Sequence, residues 1–88
     1  MKHIFIINPA AGKFDHTARF RAQIEEVCAA HGLSYEVCVS KEPGDCRALA
    51  RKAAQSGEEV RLYACGGDGT LNEVVNGAVG FEDAAVTH

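Results

Sequence analysis

Nowhere in the 88 residues is there an apolar run approaching the roughly 18 positions a membrane-spanning helix needs, so no such helix is expected. Basic residues are also short: nine Lys plus Arg against twelve Asp plus Glu give a formal net charge of −3. That leaves no cationic excess to neutralise a nucleic-acid backbone, so no nucleic-acid partner is expected. The apolar run Ile4–Ile7 is too short for a signal-peptide core and is followed by Asn8-Pro9. Cys28, Cys38, Cys46 and Cys65 lack C-x-x-C spacing and read as small buried hydrophobes in a reducing compartment rather than a disulfide framework. His3, His16, His31 and His88 include no i, i+4 pair, so no metal site is expected from them. No linker, low-complexity stretch or charge block divides the chain. One domain at most fits this length, with about 60–65% of the unfolded surface buried. A cytoplasmic location is expected.

Hydrophobic types make up 47% of the residues, and they are regularly arranged. His3–Asn8, Leu33–Ser40 and Val60–Cys65 read as strands, and Ala84–Thr87 as the start of a fourth. The first is continuously apolar, as expected of a strand covered on both faces. Between them lie three helical stripes: Phe20, Ile24, Val27, Cys28; then Cys46, Leu49, Ala50, Ala53, Ala54; then Leu71, Val74, Val75, Ala78, Val79. Their polar faces, with Glu25-Glu26 on the first and Arg47, Arg51 and Lys52 on the second, read as solvated. Asp15 or Thr17 is expected to cap the first helix and Asp45 the second. Thr70 and Glu73 have the spacing of a capping box for the third, and Gly32 and Gly57 suit helix ends. Strand–helix alternation of this kind predicts α/β architecture with a parallel sheet. The sequence stops as a fourth strand begins, so a truncated domain is expected, with an exposed edge and an uncovered apolar face that favour a homodimer.

In open parallel sheets, ligands lie beyond the carboxyl ends of the strands, and two turns fall there. The first is Asn8-Pro9-Ala10-Ala11-Gly12-Lys13. Pro9 stiffens the strand exit, Ala10 and Ala11 leave room, Gly12 permits a positive φ and Lys13 supplies a cation. It is not a Walker A loop, because Ile7 and Phe14 stand where Gly and Ser or Thr are required. The second, Gly66-Gly67-Asp68-Gly69-Thr70, follows a strand directly and opens a helix. Three glycines in four residues bring the backbone close to a ligand, and the helix N-terminus favours phosphate. Asp68 would repel phosphate unless Mg²⁺ or a substrate hydroxyl stood between them. A dinucleotide fingerprint fails at Asn72, where glycine would be required.

The run Gly66–Gly77, GGDGTLNEVVNG, preceded by the NPAAGK turn, resembles the N-terminal half of the catalytic domain of diacylglycerol kinase and sphingosine kinase-like lipid kinases. That superfamily is related to phosphofructokinases and NAD kinases, and the likeness covers essentially the whole chain, residues 1–88. It implies a three-layer α/β/α fold and an ATP site lined by Asn8, Pro9, Ala10, Ala11, Gly12, Lys13, Ser40, Gly66, Gly67, Asp68, Gly69, Thr70, Asn72 and Glu73. Asp68 would be catalytic, acting through Mg²⁺ or by orienting the acceptor hydroxyl. At Ala11 a serine hydroxyl common in bacterial relatives is missing. The resemblance further implies transfer of the γ-phosphoryl group of ATP to a diacylglycerol-like lipid, held by a C-terminal part beyond residue 88, with peripheral contact at a membrane surface. The remaining base, metal ligands and lipid-binding domain would also lie there, so the 88 residues alone are expected to be inactive. The alternatives are an NAD kinase-like small-molecule kinase, sharing the GGDGT turn, and a non-catalytic nucleotide-binding module.

Overall fold

The computed structural model describes residues 2–9, 16–42, 44–81 and 84–87. Its elements alternate: β1 (Lys2–Ile7), α1 (Thr17–His31), β2 (Tyr35–Val39), α2 (Asp45–Ala54), β3 (Val60–Cys65), α3 (Asp68–Ala78) and β4 (Ala84–Thr87). The strands form one parallel sheet in the order β2-β1-β3-β4. β1 therefore lies between β2 and β3, and its central position matches its continuous apolar sequence.

Period-two alternation divides the strand side chains between two layers. Ile4 and Ile6 of β1 with Val60, Leu62 and Ala64 of β3 meet Cys46 and Ala50 of α2 and Val74 and Ala78 of α3. On the opposite face Ile7 meets Ile24 and Cys28 of α1, with Phe5, Phe20, Val37, Val39 and Cys65 packed around them. The result is the three-layer α/β/α arrangement expected, with two helices on one side and one on the other. A single helix does not close its face: a cleft of about 420 Å³ runs over Phe5 and Tyr63, walled by Phe20, Val27 and Leu33. Val27 was expected within the buried stripe but is 54% exposed at this wall. Val75 of α3 and Val79 just past its end are likewise exposed, because α3 buries the narrower line through Thr70, Val74, Gly77 and Ala78. Among the described residues no helix is long and apolar enough to cross a membrane.

Helix ends depart most from expectation. Thr17 is the first residue of α1 rather than its cap, and His16 takes the cap position without a side-chain bond that caps the helix. Asp15 lies outside the described residues. Asp45 likewise opens α2 instead of capping it, since Gly44 occupies the cap position at φ 90°. The Asp45 carboxylate turns back to accept from the N–H groups of Lys41 (2.8 Å) and Glu42 (3.1 Å), closing the preceding turn. α2 ends at Ala54 with Gln55 as its cap, so Gly57, at φ 82°, serves the following turn rather than the helix end. Gly32, at φ 64°, ends α1 as expected.

Candidate functional site

The sequence of strands reverses direction between β1 and β3. From β1 the chain moves outward to β2, whereas from β3 it moves to β4 on the other side. The helix following β1 lies on one face and the helix following β3 on the other. The carboxyl ends of two neighbouring strands therefore part into opposite layers and leave a crevice, which is where doubly wound sheets bind ligands. Asn8 and Gly66 stand at its two lips.

Hydrogen bonds continue the sheet one residue past the strand ends. Asn8 N–H donates to the Cys65 carbonyl (3.0 Å), and Ser40 N–H donates to the Ile7 carbonyl (2.9 Å). The side chains then connect across the crevice. Asn8 Nδ2 donates to Thr70 Oγ1 (3.1 Å), and Ser40 Oγ donates to Asn8 Oδ1 (3.4 Å). Thr70 is 2% exposed and Ser40 6%, so both hydroxyls are held away from bulk water. This arrangement overturns the capping box expected of Thr70 and Glu73. Gly67 occupies the cap position in extended geometry, and Thr70 is the third helical residue, its hydroxyl engaged by Asn8.

The entrance to α3 is suited to an anion. Gly67 at the cap position has no side chain with which to cap the helix, and the first intrahelical bond runs from Leu71 N–H to the Gly67 carbonyl (3.2 Å). The N–H groups of the first helical turn consequently have no intrahelical acceptors, and the positive end of the helix dipole lies with them. A Cβ built at Gly67 or Gly69 would meet no atom within 4 Å, so the backbone there faces open space. Asp68 and Gly69 are exposed on this surface. Such a turn offers backbone donors of the kind that suit a phosphate, and the Asp68 carboxylate is exposed beside them.

Beside it lies a smaller cleft of about 200 Å³, lined by Asn8, Pro9, Ser40, Lys41, Cys46 and Glu73. Glu73 Oε1 is buried without a hydrogen-bond partner and is thus ready to accept from a ligand donor. Asn72 sits on the exposed side of α3, where its carbonyl and Oδ1 accept from Asn76 Nδ2. Burial pushes the Cys46 thiol above its ordinary range, and the nearby Glu73 and Asp45 carboxylates act in the same direction against a hydrogen bond with Ser40. Burial alone takes Cys65, on the other lip, up to about 11. Both thiols are therefore protonated near neutral pH. The structure thus gathers Asn8, Pro9, Ser40, Gly66, Gly67, Asp68, Gly69, Thr70 and Glu73 along one edge of the sheet. Ala10, Ala11, Gly12 and Lys13 lie outside the described residues.

The comparisons with known proteins agree with this geometry. The diacylglycerol kinase catalytic domain matches residues 2–87. This chain belongs to that family. It is 35% identical over 86 residues to YtlR of Bacillus subtilis (strain 168), a protein named as a proposed lipid kinase. The alignment covers 94% of this chain and 28% of that protein. Among solved structures, a proposed diacylglycerol kinase from Bacillus anthracis str. Sterne superimposes with a TM-score of 0.69 at 27% identity, covering 97% of this chain and 31% of the other. A diacylglycerol kinase from the same strain gives 0.64 at 28% identity, over 86% and 27% of the two chains. The chain therefore spans less than a third of the length of these relatives.

One residue of the kinase-like motif has a role that spacing alone did not show. Gly77 closes the GGDGTLNEVVNG run and is buried where α3 crosses α2. A Cβ there would collide with the Arg47 carbonyl oxygen and stand 2.9 Å from Ala50 Cβ. This glycine is required by close helix packing rather than by a ligand. The available signal was the small-residue pattern of Ala50, Ala53 and Ala54 on the facing stripe.

Proposed function

We propose that this chain is the nucleotide-binding part of a lipid kinase that transfers the γ-phosphoryl group of Mg-ATP to a diacylglycerol-like hydroxyl. The observation carrying this reading is the uncapped N-terminus of α3, entered through extended Gly67 at the point where the strand order reverses. Phosphoryl transfer requires positioning and charge neutralisation more than covalent chemistry, and backbone amides, glycines and one carboxylate provide those. In this reading the amides of Gly67–Thr70 hold phosphate oxygens, and Asn8, Pro9 and Ser40 border the nucleotide. Glu73 accepts a hydrogen bond from it. Asp68 is the catalytic residue, orienting the acceptor hydroxyl or holding Mg²⁺. Ala10, Ala11, Gly12 and Lys13 are assigned to the nucleotide site by the sequence motif alone. The lipid is bound by the part of the protein corresponding to the two-thirds of the relatives not covered here.

Calorimetric titration of the full-length protein with Mg-ATP, paired with diacylglycerol phosphorylation, tests this reading. Asp68→Asn should keep nucleotide affinity within a few-fold while reducing turnover by about 10²–10⁴. Absence of ATP binding by the parent would overturn the assignment, and phosphorylation of NAD in place of the lipid would redirect it.

A further inference from the structure

Asn8 ties three elements together at once. Its main chain holds the end of β1 to β3 through the Cys65 carbonyl, and its carboxamide spans Ser40, just past β2, and Thr70 in α3. The two side-chain contacts require opposite chemistry. Ser40 donates to the oxygen and Thr70 accepts from the nitrogen, so a planar group with both a donor and an acceptor is needed. Alanine can make neither contact. Because Ser40 and Thr70 are both buried, water does not readily take over the lost partner.

We propose that Asn8 is a positioning residue acting through Thr70. Its carboxamide sets the entrance of α3 against the ends of β1 and β2, so that the amides of Gly67–Thr70 are held at a fixed distance from Asn8 and Pro9. The nucleotide is then met by two turns locked together rather than by two independent loops. This assigns the Thr70 hydroxyl to the protein's own scaffold, and makes Asn8 responsible for the shape of the phosphate site without gripping the ligand through its side chain.

The experiment uses the full-length protein with Asn8→Ala, Thr70→Val, Thr70→Ser and the Asn8→Ala/Thr70→Val double variant. Amide hydrogen exchange is read first, because it is independent of the nucleotide reading. Loss of the Asn8–Thr70 hydrogen bond, common to both variants, should speed exchange of the amides at residues 71–74 by about tenfold in Asn8→Ala and Thr70→Val, with Ile6 and Leu62 unchanged. Thr70→Ser, which keeps the oxygen, should restore protection. The second measurement rests on the proposed function. Asn8→Ala and Thr70→Val should each raise KM for Mg-ATP by about tenfold, and the double variant should be no worse than the more severe single one. Unchanged exchange in Thr70→Val would overturn the proposal. So would additive losses in the double variant, which would mean that Asn8 touches the nucleotide directly. Should Asn8→Ala fail to fold, the Thr70 pair still decides the exchange result. Should the parent show no ATP turnover, the functional reading fails while exchange still decides the positioning role.

Discussion

On the side of the sheet facing α2 and α3, strand isoleucine, leucine and valine side chains meet Cys46, Ala50, Val74 and Ala78, and the helices approach each other at backbone distance at Gly77. On the side facing α1 the sheet presents rings. Phe5 stacks on Tyr63 with centroids 4.2 Å apart, Tyr35 meets Phe5 edge-on at 6.2 Å, and His3 Nδ1 bonds Tyr63 Oη at 2.8 Å. Two helices can seal a face when their contact residues are small. One helix seals only the strands beneath it, and the aromatic row is left half-covered. Tightness on one face and openness on the other thus follow from which residues each layer supplies.

Matched truncations should break the symmetry of stability between the two faces. Ile6→Ala, at a fully buried position, should lower unfolding free energy by about 3 kcal/mol. Phe5→Ala removes a larger side chain but from a half-buried site, and should cost about 1–2 kcal/mol, roughly half the loss of a fully buried position. Urea unfolding of the two variants checks the ranking, and equal losses would mean that the α1 face is closed as well as the other. Gly77→Ala falls between those two and should destabilise by about 2 kcal/mol through overpacking. Measured in the same assay, a neutral outcome would show that α2 and α3 have room to move apart.

The smallest effect sharpens the comparison through Cys65. Burial takes its thiol from an ordinary value near 9 up to about 11 in the folded chain. Between those limits the unfolded thiol has released a proton that the folded one still holds, so stability falls as pH rises from about 9 to 11. Subtracting the pH profile of Cys65→Ala from that of the parent should expose this loss. Identical slopes would show that the thiol is not desolvated by folding.

Much of the layer architecture was legible because it depends on period. The apolar run of β1, the alternation of β3 and the α2 stripe each match the buried residues found. The Gly66–Thr70 turn was legible because three glycines in four residues between a strand and an apolar stripe have few other uses. Caps were not, because Asp45 and Thr70 have two options that sequence spacing does not separate: bonding their own helix or bonding a neighbouring segment. Asp45 bonds the turn just before its helix, a local contact, whereas Thr70 is engaged by Asn8 from the far end of the chain. Val27 was misplaced for a related reason. Its stripe position is correct for a helix, but no second helix stands beside α1 to cover it.

The meeting of Gly77 with the Arg47 carbonyl constrains any redesign of this layer. A crowded side chain can be trimmed on the opposing helix, whereas a main-chain oxygen offers nothing to trim. Sequence changes that tolerate a methyl group at this crossing would have to come from residues that lever the two axes apart, and the strands below would feel the displacement.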